Sequence, residues 1–202
     1  MLTTRNALIG QPVETLDEFL QLFTPAEAEQ LARDRTAISD LYSLSLSRPL
    51  GERFQLDVEA YGSRLQATVG SGGVAATPAS GLEKTFQVQL SANNLGLAND
   101  LWVLSARYQD ASLATTRSVL LAARLPVGGA WRFGPRLRLD RRESSFDGAS
   151  ETTYVPMLRL DYQRGRAWFE CEAAAELGDR QLPAGSESTQ RLYFGLGYRL
   201  SF

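Results

Sequence analysis

Histidine is missing from all 202 residues. Its absence removes Ser-His-Asp and Cys-His nucleophilic catalysis, histidine metal sites and any histidine pH switch, so no enzyme activity is expected. Cys171 is the single cysteine, so neither an internal disulfide nor a multi-cysteine metal centre can form. Net charge is small, with 21 basic residues against 23 acidic ones and a formal value of -2. No net basic field therefore draws the chain to nucleic acid, and no nucleic-acid partner is expected. No segment approaches the roughly 18 consecutive apolar residues of a membrane helix, and the first ten residues lack the basic and apolar regions of a signal peptide. Gly70, Gly72 and Gly73 come without a phosphate-loop lysine and read as a flexible loop, so neither cofactor nor metal is expected. With a mean hydropathy of -0.21, these absences describe a soluble cytosolic chain. The pattern of what is present argues otherwise.

From Arg191 to Phe202 the sequence alternates without a break. Leu192, Phe194, Leu196, Tyr198, Leu200 and Phe202 share one face, and Tyr193, Gly195, Gly197, Arg199 and Ser201 share the other. Upstream the same two-residue period recurs. Phe169, Cys171, Ala173, Ala175 and Leu177 oppose Glu170, Glu172 and Glu176; Tyr154, Pro156, Leu158, Leu160 and Tyr162 oppose Arg159, Asp161 and Gln163. Pro135, Leu137 and Leu139 oppose Arg132, Arg136, Arg138 and Asp140, and further alternating segments lie around Trp102–Tyr108, Phe86–Ala92, Phe54–Ala60 and Tyr42–Leu46. Thr116 to Leu125 is apolar on both faces around Val119 to Ala123. These segments predict about eight strands after residue 36, each near the roughly 9–11 residues that cross a bilayer at a tilt. Strands of soluble sandwiches are shorter, nearer 5–6 residues.

The connections predict the same class. Counted from the C-terminus they read long (Gly178 to Gln190), short (Arg164 to Arg166), long (Arg142 to Glu151), short (Pro126 to Gly129), medium (Asp110 to Thr115), short (Asn94 to Asp100), long (Leu65 to Lys84), short (Arg48 to Glu52) and long (Gly10 to Arg35). Tight periplasmic turns alternating with extended outer loops are the habit of outer-membrane barrels. Trp102, Tyr108, Trp131, Tyr154, Tyr162, Trp168, Tyr198 and Phe202 fall near strand ends, as interfacial girdles do. The expected fold is all-β, an antiparallel up-and-down transmembrane β-barrel in the bacterial outer membrane, with apolar faces on lipid and polar faces on the interior. Hydrogen bonding in lipid requires the sheet to close.

Between residues 10 and 36 the period changes. Thr15 with Glu18 and Thr24 with Glu27 read as capping boxes, and Pro25 suits a first helical turn, so two short helices are expected in an extracellular or plug-like insert. Leu16, Phe19, Leu20 and Phe23 stripe the first; Ala28 and Leu31 mark the second. Residues 1–9 read as a partial strand and 37–202 as the barrel, giving roughly nine strands in all. An odd count is unusual for a single-chain bacterial barrel, and with the missing signal peptide it predicts the C-terminal part of a longer protein and a larger barrel.

Candidate functional residues follow from the faces. Arg132, Arg136, Arg138 and Arg159 share the polar side with Asp161, Glu170, Glu172 and Glu176, a charge ladder within cross-strand reach. It reads first as an ion-pair network that ties the wall together and fills the interior, and alternatively as a basic wall facing an acidic one that biases passage of charged solutes. Glu170 with Glu172 reads as solvated interior carboxylates rather than a glycosidase pair. Ser144, Ser145 and Ser71 have no base to activate them. Arg64 and Arg191, near the outer strand ends, are candidates to meet lipopolysaccharide phosphates, and Cys171 is expected to pack on the lipid face.

Several of these stretches also resemble the C-terminal barrel regions of bacterial outer-membrane proteins that carry tetratricopeptide repeats in their periplasmic part. They are residues 46–50, 71–78, 106–110, 135–140, 158–162 and 193–202. The terminal strand, with Tyr198, Leu200 and Phe202 on its apolar face, is similar to the assembly signal read by the outer-membrane barrel assembly machinery. The resemblance implies an outer-membrane location, outer-membrane lipid and lipopolysaccharide as surroundings, and an upstream repeat domain that this sequence does not contain. Some relatives export exopolysaccharide. Two functions are therefore expected in order: a solute or exopolysaccharide transport or secretion conduit, or a non-conducting anchor or scaffold for the periplasmic repeats.

Overall fold

The computed structural model describes residues 2–7, 24–70 and 75–200. Its elements are β1 (Leu2–Ala7), α1 (Pro25–Arg35), β2 (Thr36–Leu50), β3 (Phe54–Leu65), β4 (Glu83–Asn93), β5 (Leu101–Asp110), β6 (Ala114–Val127), β7 (Trp131–Ser144), β8 (Ser150–Arg164), β9 (Ala167–Leu182) and β10 (Gly185–Leu200). The strands form one sheet in chain order, each hydrogen-bonded to its sequence neighbours in up-and-down fashion. Ten strands are present among the described residues, against roughly nine expected. The chain divides into two compact units, residues 1–44 with 61–84, and residues 45–60 with 85–202.

In the first unit, β1 pairs with β2 from Leu2↔Leu41 to Ala7↔Thr36. Helix α1 begins as its capping box dictates: the Glu27 amide donates to Thr24 Oγ1 at 3.4 Å, and the Thr24 amide donates to Glu27 Oε2 at 2.9 Å. Pro25 occupies the first turn, where its missing N–H costs no hydrogen bond. Ala28 and Leu31 are half-buried. The other expected helix, with Thr15, Glu18, Leu16, Phe19, Leu20 and Phe23, lies outside the described residues, as do Ser71, Gly72, Gly73 and Phe202.

The second unit shows how sequence sets register. In β7–β8, Trp131↔Tyr162, Phe133↔Leu160, Pro135↔Leu158 and Leu139↔Tyr154 share one face; in β8–β9, Leu160↔Cys171 and Tyr162↔Phe169 continue it, and Leu196 and Tyr198 extend it across β10. Pro135 and Pro156 interrupt the ladder where a missing N–H must: β6–β7 pairing skips residues 134 and 135, and β8–β9 pairing skips 155 and 156. Tight turns at 128–130 and 165–166 use Gly128 (φ 76°) and Gly165 (φ 58°) in the left-handed region.

The strands bury almost nothing apolar. Among the described residues the buried hydrophobic side chains are five alanines, Ala37, Ala92, Ala114, Ala123 and Ala149. Leu104, Val119, Leu121, Leu137, Leu158, Phe169, Phe194 and Leu196 are all exposed. A water-soluble domain of this size would hide such side chains in a core. Here they form one continuous apolar face.

Two expected loops are strand instead. Gly178 to Gln190 was expected as a long connection, but β9 runs to Leu182 and β10 starts at Gly185, with Gly178 opposite Thr189 and Arg180 opposite Glu187. Likewise Arg142 and Glu151 sit opposite each other within β7 and β8, leaving residues 145–149 to connect them. Strands of 14–16 residues exceed the roughly 9–11 that a bilayer requires. Their extra length is polar on both faces, so the hydrogen bonds continue after the alternation stops.

Candidate functional site

The polar face of β7–β10 carries the charge ladder, and the ladder is uneven. Arg159 is its centre. Its Nε donates to Asp161 Oδ1 at 3.0 Å, its Nη2 donates to Glu170 Oε2 at 2.6 Å, and its guanidinium lies 5.7 Å from the Trp168 ring. Trp168 thus faces the polar side and belongs to no outward girdle. Glu170 fits because residue 197 is glycine: a Cβ there would come within 2.9 Å of Glu170 Cγ. These side chains are 16–40% exposed, so each pair contributes only about 0.2–1 kcal/mol after solvent screening. Glu176 meets Arg191 at 3.4 Å and Arg138 meets Asp140 at 2.8 Å. Arg191 therefore points to the polar face.

Of the remaining ladder members, Glu172 stands opposite Arg159 in register, while Arg132 and Arg136 stand apart. Among the described residues Arg132, Arg136 and Glu172 have no ion pair. Arg132 stands opposite Asp161 in register, yet Asp161 is taken by Arg159, two residues along its own strand. Arg136 lies between Ala122 on β6 and Met157 on β8, and Arg138 lies between Leu120 and Val155. No carboxylate is offered from the neighbouring strands at either level. The face of β5–β7 also holds Arg107, Arg124 and Arg142, which the sequence reading did not count as site residues; their strand parity was the available signal.

On the opposite, apolar face, the rings of Trp131 and Tyr162 meet at a tilt with centroids 4.6 Å apart, and Tyr162 lies 6.4 Å from Phe169. With Tyr198 and Cys171 they line an apolar hollow of about 500 Å³ near the turns at 128–130 and 165–166. Tyr108 and Tyr154 stand on the same face toward the other strand ends.

Asp100 is a feature that sequence reading missed. Among the described residues it is the one side chain that is almost completely buried, at 1% exposure, and it organises the connection from Asn94 to Asp100. Its carboxylate accepts the amides of Leu95 (2.9 Å), Gly96 (2.8 Å) and Leu97 (2.8 Å), and the Trp102 indole N–H at 3.3 Å. Burial pushes its pKa up, but the four N–H donors outweigh burial and hold it at about 2. Asn94 and Asn99 supply the left-handed turn residues (φ 56° and 65°). An asparagine-rich turn that closes on an aspartate just before a strand was the readable signal.

No protein-family model matches this chain, and no curated protein does. Among solved structures it is similar to OmpT (in-vitro folded), an outer membrane protein of Vibrio cholerae, with 18% sequence identity and a TM-score of 0.54. The match covers 88% of this chain and 57% of that one, so the chain spans little more than half the length of that protein. At this identity the likeness is one of fold: an all-β, antiparallel up-and-down sheet of the kind that outer-membrane barrels use.

Proposed function

We propose that this chain is part of an integral β-barrel of the bacterial outer membrane and forms the wall of a conduit for a solute or exopolysaccharide. One observation carries the reading: a sheet without an apolar core, exposed leucines and aromatics on one face and charged side chains on the other. In hydrocarbon the first face is at home, and the second then lines the interior. A wet interior is supported by Arg136 and Arg138, which stand opposite apolar cross-strand neighbours rather than carboxylates; a dry plug would leave such charges at great cost.

The edge strand supports a larger barrel. All sixteen residues of β10 pair with β9. In lipid its other edge must pair as well, and in this reading further strands of a longer protein complete the barrel. An upstream periplasmic tetratricopeptide-repeat domain, recognition of the β10 end by the barrel assembly machinery, and lipopolysaccharide around the outer leaflet belong to the same proposal.

The test is conductance of the full-length protein in planar bilayers. Discrete open-channel steps are expected. A folded, inserted protein that passes no current would refute the conduit and favour the anchor.

A further inference from the structure

We propose that the polar face of β5–β7 is a binding track for a carboxylate- or phosphate-bearing solute, best matched by an anionic saccharide chain. The inference deepens the conduit reading. Passage depends on that reading, but binding does not.

The charges of the polar face are segregated. On β5–β7 it carries Arg107, Arg124, Arg132, Arg136, Arg138 and Arg142 against the single carboxylate Asp140, which is engaged by Arg138. The acidic residues gather on β8 and β9, where Arg159 and Arg191 already meet Asp161, Glu170 and Glu176. Among the described residues Arg124, Arg132, Arg136 and Arg142 have no ion pair, although Arg142 stands opposite Glu151 in register. A row of like charges on one strand is a cost unless something outside the protein neutralises it. An ion-pair network built only for stability would place carboxylates opposite Arg136 and Arg138, where Ala122, Met157, Leu120 and Val155 stand instead.

The row also has length. From Arg132 to Arg142 it runs ten residues along β7, about 33 Å at the usual strand rise. A cavity opens near each end. One, of about 330 Å³, is lined by Arg107, Arg138 and Arg142 with the hydroxyls of Thr116, Ser118 and Thr153, and with Asp140 and Glu151 at its wall. The other, of about 610 Å³, includes Arg124 and Arg132 beside the turn glycines. Guanidinium groups with hydroxyl donors suit carboxylate or phosphate oxygens. Two arginine-lined cavities, the first with hydroxyls as well, and Arg136 between them on β7 suit a chain that carries repeated charge better than a single ion.

The test is a binding titration of the protein folded in lipid nanodiscs, with oligogalacturonate as probe, a neutral maltooligosaccharide of equal length as its control, and inorganic phosphate as competitor. Oligogalacturonate is expected to bind, to weaken as salt rises, and to lose tenfold or more in affinity in the Arg136→Gln/Arg142→Gln variant. Arg199→Gln, on β10, is expected to leave it unchanged. The track is overturned if oligogalacturonate does not bind at low salt, if the neutral oligomer binds equally, if the double variant binds as well as the parent, or if phosphate competes as strongly per charge. The neutral-oligomer and salt comparisons use the unaltered chain, so they stand even where the double variant does not fold. Conductance without oligogalacturonate binding would end the track alone; binding without conductance would end the conduit alone.

Discussion

Leu158 offers the sharpest perturbation of the apolar face. It lies on β8 midway between Tyr154 and Tyr162 and is 43% exposed. The eight residue steps from one tyrosine to the other span about 26 Å along the strand, or about 20 Å in height at a tilt near 40°. Leu158 is then near mid-depth. If this face met water, Leu158→Arg would be an ordinary surface change within about 0.5 kcal/mol. If it meets hydrocarbon, the arginine costs about 2–4 kcal/mol, which lowers the folded-to-unfolded ratio by about 30- to 900-fold. Ser188→Arg is the matched control: it is on the same face of β10 beyond the apolar band, opposite Asp179, where the cost falls to about 0–1 kcal/mol. Guanidinium unfolding of the protein from lipid vesicles, followed by tryptophan fluorescence, measures both. Equal small costs at Leu158 and Ser188 would refute a lipid-facing β8.

Further outcomes are expected elsewhere. Asp100 has a folded pKa held at about 2, below its ordinary value of 3.8. Its contribution to the 94–100 connection is thus full above about pH 4 and is lost as pH falls toward 2. The Trp102 indole proton resonance should shift with a midpoint near 2; a midpoint near 4 would show that the carboxylate is not held. Gly197→Ala should displace Glu170 and erase its coupling to Arg159 in a double-mutant cycle with Glu170→Gln, a loss of about 0.2–1 kcal/mol; an intact coupling would contradict the close approach. Thr24→Ala should cost α1 about 1 kcal/mol and speed amide exchange at Glu27 about fivefold, and unchanged exchange would mean that the cap does not hold the helix.

The faces of the strands were legible because a bilayer on one side and water on the other impose a strict period of two on the sequence. Legibility ended where the bilayer ended. Asp179, Gln181, Ser186 and Ser188 lie in strand on the outward side, yet without lipid to meet they are polar, and the segment read as a loop. Charge pairing was harder to read for a different reason. Parity placed Arg132 and Asp161 on one face, but which carboxylate an arginine reaches depends on rotamer and on competitors such as Arg159. Asp100 escaped because its role is set by backbone amides, which no alternation of side chains reveals.

The central claim is that β9 has a lipid face and a wet face, and Cys171, the single cysteine, provides the place to measure it. A nitroxide at Cys171, and at single cysteines replacing Ala173, Ala174, Ala175, Glu170 and Glu172 in a Cys171→Ser background, reports collision with oxygen, which concentrates in lipid, and with a water-soluble nickel chelate. The account predicts alternation with period two in liposomes, with oxygen favoured at 171, 173 and 175 and the chelate favoured at 170, 172 and 174. Equal exposure to the chelate at all six positions would contradict it.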